Sequence, residues 1–175
     1  VGVTGLDGNG QDDFVKILAG VQEAHGGITE ILDNNENFVK YNSLDNAKNN
    51  GISFVSGDRK KEGILPNLSI YENLVVPLYK KTSRGGFLGF VDWMELNGIF
   101  DWEVDRLSIK TGPRDNLIGS LSGGNQQKVM IARSFAQHPK VLILNDPARG
   151  IDVSTKRDLY IHLRNYVEEG NTVVF

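Results

Sequence analysis

The chain has 175 residues, 39% of them hydrophobic and 23% charged, enough for one domain with a buried core. Lys and Arg number 19 against 22 Asp and Glu, a net charge of −3, which excludes broad nucleic-acid binding through a basic face. There is no cysteine, hence no disulfide, and no apolar run approaches the ~20 residues that span a bilayer.

The opening "VGVTGL" reads as the end of a strand and the closing "NTVVF" as a strand cut short, so a fragment of a longer protein is expected. After the glycine-rich stretch "TGLDGNGQDDF", Phe14, Ile17 and Leu18 fall at helical spacing, with Gly20 as a stop. Ile28 to Leu32 reads as a short edge strand. "SLDNAKNNG" reads as a helix capped by Ser43 and stopped at Gly51. "ISFV", Ile52 to Val55, is a buried strand, and a charged loop, "SGDRKKEGILPNLS", follows. Ser69 and Glu72 form a capping box, and Asp92 with Glu95 repeats the device. The second of these helices carries Leu96, Ile99, Phe100, Val104 and Leu107 on one face. "TSRGGFLGF" between the two is a flexible connection.

Further on, "LSGGNQQKVMIARSFAQ" is a glycine turn running into a helix with Met130, Ile131 and Phe135. "VLIL", Val141 to Leu144, is apolar throughout, as in a central parallel strand covered on both faces. The last helix shows Leu159, Tyr160, Leu163, Tyr166 and Val167 and ends at Gly170. Strands alternating with helices predict a parallel α/β core, and the helix-rich stretch from about Ser69 to Gln137 predicts an inserted helical subdomain.

Three constellations suit anion chemistry, each with a bland alternative. Gly5 and Gly10 have the spacing of G-x-x-x-x-G-K-[ST], and with Gly8 they let backbone N–H groups approach an anion at a helix start. The plain alternative is a tight turn. Leu121, Ser122, Gly123, Gly124, Asn125 and Gln126 lead into a helix N-terminus, which suits a phosphate or is an ordinary capped helix. Asn145 and Asp146 end a central strand, where open α/β sheets bind ligands; the alternative is a polar strand end before a proline turn.

Together they resemble the ATP-binding-cassette (ABC) ATPases, most of all the second, C-terminal cassette of the tandem importer ATPases for simple sugars and nucleosides. "LSGGNQQKV" is similar to that family's signature motif, with Asn125 in place of the more usual Gln. "VLILNDPARGID" resembles the Walker B strand, "VLILDEPTRGID" in the family form, with Asp152 as the D-loop aspartate. "DRKKEGILPNLSIYENL" resembles the segment after the Q-loop, and "GLDGNGQ" resembles Walker A. The resemblance covers essentially the whole chain. It implies a P-loop NTPase core with an antiparallel β edge and an inserted helical subdomain. It also implies ATP and Mg²⁺ as cofactors, a second cassette and permease subunits as partners, and a peripheral place on the cytoplasmic face of the membrane. The implied nucleotide-binding residues are Gly5, Asp7, Gly8, Asn9, Gly10, Gln11, Asp12 and Asp13.

The departures from the family pattern fall on the residues that would serve this chain's own site. Gln11 replaces the phosphate-binding lysine and Asp12 the Mg²⁺-holding hydroxyl. Asn145 replaces the Mg²⁺-associated aspartate and Asp146 the catalytic glutamate, so Asp146 is a doubtful catalyst. Gly57 stands at the Q-loop position without a side chain. A charge pair at ~5 Å and an effective dielectric of ~20 is worth roughly 3 kcal/mol. An attraction lost and a repulsion gained therefore predict nucleotide affinity lower by a hundredfold or more. Asp12 and Asp13 also have a bland use, satisfying the helix N–H groups and dipole without phosphate.

In this family two cassettes pair head to tail, and the signature of one completes the ATP site of the other. The resemblance thus implies that Leu121 to Gln126 act in trans while the chain's own site is degenerate. The stretch from Gly57 to Val76 is expected near the permease, although Arg59, Lys60 and Lys61 also read as a solvated charge run. The alternatives are a competent ATPase with compensated motifs, Asp12 or Asp146 holding the metal, and a catalytically silent scaffold. A chromosome-organising relative would place a long coiled coil between the two Walker motifs, and only a small helical region intervenes.

Overall fold

The computed structural model describes residues 1–6, 8–33, 36–80, 82–84 and 90–175. These form two compact units, the first made of Val1–Gly57, Pro139–Pro147 and Leu163–Phe175, the second of Asp58–His138 and Ala148–His162.

The first unit holds a parallel sheet of β3 (Ile52–Val55), β6 (Val141–Leu144) and β7 (Thr172–Val174), in the order β3-β6-β7. Central β6 buries Leu142, Ile143 and Leu144 almost completely, each worth ~1.5–3 kcal/mol. The closing end is a strand, as expected, whereas residues 1–6 form none; they are tied to it by Val3 N–H donating to the Phe175 carbonyl at 2.6 Å and Phe175 N–H to that of Val1 at 3.1 Å. The glycine turn leads into α1 (Gln11–Leu18). An antiparallel hairpin of β1 (Thr29–Leu32) and β2 (Phe38–Tyr41), with Thr29 opposite Tyr41, comes next. Then α2 (Leu44–Asn49) is capped by Ser43, whose hydroxyl accepts from Asn46 N–H at 3.3 Å.

The core of this unit gathers Val15, Ala19, Tyr41, Ala47, Ile52 and Ile143. One sequence expectation is corrected here, and one strand had no counterpart in the sequence reading. Phe14 is 49% exposed and Val15 takes its place in the core, because Val15 and Ala19, one turn apart, form the inward face. Strand β2 has a single fully buried residue, Tyr41, too faint a pattern to predict.

The second unit packs three helices together: α3 (Ile70–Val75), α4 (Trp93–Arg106) and α5 (Gly123–Phe135). The Ser69–Glu72 capping box is reciprocal: Ser69 Oγ accepts from Glu72 N–H at 3.1 Å, and Glu72 Oε2 accepts from Ser69 N–H at 2.8 Å. At α4, Asp92 caps the helix, its Oδ1 accepting from Glu95 N–H at 3.0 Å. Leu74, Leu96, Phe100, Ile131 and Phe135 make the core. Tyr71 tilts against Phe100 at 5.2 Å and Arg106 lies over the Phe135 ring at 4.7 Å.

The stretch expected as a flexible connection contains a two-residue pairing of β4 (Ser83–Arg84) with β5 (Phe90–Val91); its middle, residues 85–89, lies outside the described residues. The charged loop after Gly57 contains a π-turn at Arg59–Gly63, capped by Asp58 Oδ1 on Lys61 N–H at 3.1 Å. The last helix, α6 (Val153–Glu168), buries Leu159, Leu163 and Tyr166 but leaves Val167 exposed. Among the described residues no helix is long and apolar enough to cross a membrane.

Candidate functional site

The first constellation belongs to the first unit. Gly8 and Gly10 adopt φ of 85° and 87°, where a side chain would be strained. Gly10 is the N-cap of α1, and its carbonyl accepts from Phe14 N–H at 2.9 Å. Asn9 N–H closes the loop onto the Leu6 carbonyl at 3.1 Å. The turn has glycine conformations that a phosphate cradle also uses. Its side chains do not complete one. Gln11 folds back, its Nε2 donating to the Leu6 carbonyl at 3.0 Å. Its Oε1 is buried without a hydrogen-bond partner and would lie 3.2 Å from a Cβ on Gly5. A neutral carboxamide is thus tucked against the loop where the resemblance puts a lysine.

Asp12 opens the helix and shares its carboxylate. Oδ2 accepts from Lys16 Nζ at 2.7 Å, one turn on, and Oδ1 accepts from the Asn145 side-chain amide at the end of β6. The start of α1 is thereby joined directly to the end of the central strand. Gly57 lies two residues past the end of the neighbouring strand β3, and a Cβ there would stand 2.7 Å from the Asn145 carbonyl oxygen. Backbone occupies the space that a Q-loop side chain would leave through. Asp146 is exposed, with φ of 41°, a conformation that Asp tolerates better than most residues. Asp13 is exposed, and Asp7 lies outside the described residues.

A magnesium ion between Asp12 and Asn145 would need oxygen donors from both. Asn145 turns its nitrogen to Asp12, and both Asp12 oxygens are engaged. Among the described residues no group of three or more His, Cys, Asp or Glu side chains gathers to hold a metal. The donors at residues 12 and 145 do not fit the ion.

The second constellation belongs to the second unit. Ser122 caps α5, its Oγ accepting from Asn125 N–H at 3.4 Å and from Asn125 Nδ2 at 3.0 Å. Asn125 Oδ1 accepts from Lys110 N–H at 3.0 Å, and Gln126 Nε2 donates to the Leu121 carbonyl at 3.0 Å. Leu121 is buried and Ser122 exposed, so the turn is tied from inside while the hydroxyl faces out.

The glycine pair has a steric reason. A Cβ on Gly123 would lie 3.0 Å from Arg59 Nη2, and one on Gly124 3.0 Å from Thr155 Cγ2. Arg59 Nη1 also donates to the Gly123 carbonyl at 3.1 Å. Asp152 caps the start of α6, accepting from Ser154 Oγ at 2.6 Å, Thr155 N–H at 2.9 Å and Thr155 Oγ1 at 2.7 Å. These donors, Ser154 foremost, hold its carboxyl far below the usual carboxylate range.

Lys16, Arg59 and Thr155 were not singled out as site residues by the sequence. The four-residue spacing of Asp12 and Lys16 was a readable signal. No local signal joins Arg59 to Gly123.

A family model described as ABC transporter matches residues 1–149. A ribose import ATP-binding protein RbsA of Bacillus cereus is 37% identical, over 99% of this chain and 34% of its own length. RbsA 1 of Rhizobium etli is likewise 37% identical, over 100% of this chain and 33% of its own. The chain spans about a third of the length of these relatives. Among solved structures, the dimeric bacterial ABC transporter cassette MJ0796 is similar with a TM-score of 0.77 and 23% identity, over 99% of this chain and 70% of that one. The post-hydrolysis dimer of MJ0796 bound to ADP and Pi gives 0.74 and 23%, over 94% and 68%. These likenesses show the fold, a P-loop ABC ATPase core with a parallel and an antiparallel sheet.

Proposed function

This chain belongs to the ABC transporter family, and from that membership we propose that it is the second, C-terminal cassette of an importer ATPase for a simple sugar or nucleoside. Its own nucleotide site is degenerate, and its signature helix completes the ATP site of a partner cassette. That partner is the fused N-terminal half or a dimer mate. ATP and Mg²⁺ act mainly at the partner site, and the pair drives permease subunits from the cytoplasmic face of the membrane. The sugar class follows the relatives, which are named as ribose import proteins.

One asymmetry carries the reading. The groups that would serve this chain's own nucleotide are bonded to one another, Asp12 to Asn145 and Lys16, and Gln11 to Leu6. The groups that would serve a partner's nucleotide are presented: Ser122 is exposed at the start of a 13-residue helix with no acid in its first turn. A helix start of that kind stabilises charge developing on a phosphate oxygen. Asp146, one methylene shorter than the family glutamate, sits too far back to orient a water well. A competent ATPase here would have to release Asp12 from both partners before a metal could use it.

The test is ATP turnover by the full-length protein in its transport complex with Ser122→Arg. Turnover is expected to collapse, because a long cation blocks the helix start in trans. Turnover at the wild-type rate would overturn the trans role.

A further inference from the structure

The π-turn Arg59–Gly63 lies along the signature helix and is fastened to it at two places. At the near end, Arg59 Nη1 donates to the Gly123 carbonyl at 3.1 Å. At the far end, the Arg133 guanidinium donates to the Gly63 carbonyl. A Cβ on Gly63 would fall 2.2 Å from Met130 Cε, so the turn is pressed against the helix there with no room to spare. From Gly123 to Arg133 is ten residues of helix, ~15 Å at 1.5 Å per residue. The turn is itself braced, with Asp58 capping Lys61 and Ile64 N–H bonded to the Arg59 carbonyl at 2.9 Å. A strap fixed at both ends moves with the helix it spans.

The charge at its near end is unfavourable for a free-standing chain. The start of a helix carries positive potential and favours acids. The first turn of α5 has none, and Arg59 adds a cation beside it. Arg59 Nε is also buried without a hydrogen-bond partner, a further cost. The electrostatic cost falls once an anion stands at the helix start, which on the reading above is the phosphate of the partner cassette's nucleotide.

We propose that Arg59 is a positioning residue for the partner cassette's ATP turnover. It fixes the first turn of the signature helix through the Gly123 carbonyl and raises the positive potential there. The inference rests on the trans reading of Ser122.

The experiment measures ATP turnover by the full-length transport complex carrying Arg59→Met, Arg59→Lys or Ser122→Arg, with thermal midpoints alongside. Removing an interaction made mainly in the transition state lowers kcat and leaves KM nearly unchanged. Arg59→Met is therefore expected to lower kcat about tenfold, with KM for ATP within about twofold. Its thermal midpoint should stay near the wild-type value, since the bond lost to the Gly123 carbonyl is offset by the removal of an unpartnered buried donor. Arg59→Lys keeps the charge without the planar fork and should recover part of kcat. Wild-type kcat in Arg59→Met, with Ser122→Arg inactive, overturns this inference and leaves the trans reading standing. Wild-type turnover in Ser122→Arg overturns both. A midpoint that falls in Arg59→Met and returns in Arg59→Lys together with activity shows a folding role only, and also overturns it.

Discussion

Replacing Asn145 by Asp tests the reading of the site most directly, because it restores the family residue at one position only. Asn145 now donates to the Asp12 carboxylate; an aspartate in its place would set a second carboxylate against the first. Two unit charges at ~3 Å and an effective dielectric of ~20 repel by roughly 5 kcal/mol. Asp12 is 56% exposed in its side chain and already neutralised in part by Lys16, so solvent screening reduces this to about 1–2 kcal/mol. The lost hydrogen bond to a charged group adds ~1 kcal/mol. Asn145→Asp should therefore destabilise the protein by about 2–3 kcal/mol at neutral pH, or roughly 5–10 °C in thermal midpoint.

The sign with pH follows. A carboxylate pair raises one folded-state pKa above its unfolded value. The penalty is then present at neutral pH and disappears as pH falls below the carboxylate range, ~4. Two carboxylates also make a cation site, so Mg²⁺ should recover stability in the variant and leave the wild type unmoved. The assay is thermal unfolding with Mg²⁺ or with chelator, at neutral and acid pH. A variant as stable as wild type would refute the reasoning, as would a wild-type midpoint that rises with Mg²⁺ in the absence of nucleotide.

Gly57→Gln adds a side chain whose Cβ is driven to 2.7 Å from the Asn145 carbonyl oxygen. Denaturant unfolding should show a loss of about 1–3 kcal/mol, the usual range for overpacking. His162 has its pKa lowered by burial first and by the Lys128 charge next, with Asp158 opposing and Arg106 adding. The unfolded chain then binds the proton more readily, so this contribution to stability is present above pH ~6.5 and is lost as pH falls below it. His162→Gln should flatten the urea midpoint over that interval relative to wild type.

The elements were legible where one local device decides them. Ser43, Ser69 and Asp92 each accept from the N–H three residues on, as spacing alone foretold. "VLIL" had to be a covered strand, since nothing in it tolerates water. Short elements defeated the same logic. Eight residues of α1 hold two turns, and one step of phase exchanges Phe14 for Val15. The site was half legible. Motif spacing pointed to two glycine turns, and each leads into a helix, α1 and α5. What the residues beside them do was invisible, because the Asp12–Asn145 bond spans 133 positions and the Arg59–Gly123 bond 64. Arg59 read as part of a stretch near the permease or as one of three solvated charges, and only the folded path of the turn sets it on the helix.

The changed residues explain one another better than they explain separate decay. Relative to the family pattern, one carboxylate has moved from the strand to the helix: residue 12 gains it and residue 145 gives it up. With no lysine to hold phosphate, Asp12 supplies the anion that the start of α1 favours. Once Asp12 is there, residue 145 must donate, and Asn is the residue that keeps the shape of Asp and can do so. With Asn145 held in place, its carbonyl oxygen stands where a side chain at residue 57 would begin. An acid at position 145 alone meets a like charge, a hydroxyl at position 12 alone loses the charged acceptor, and a side chain at position 57 alone meets backbone. Each single return toward the family form therefore passes through a less stable protein. On the proposed reading, the bonds from Asp12 to Asn145 and Lys16 take the place of the contacts that a nucleotide and its metal would make beside this loop.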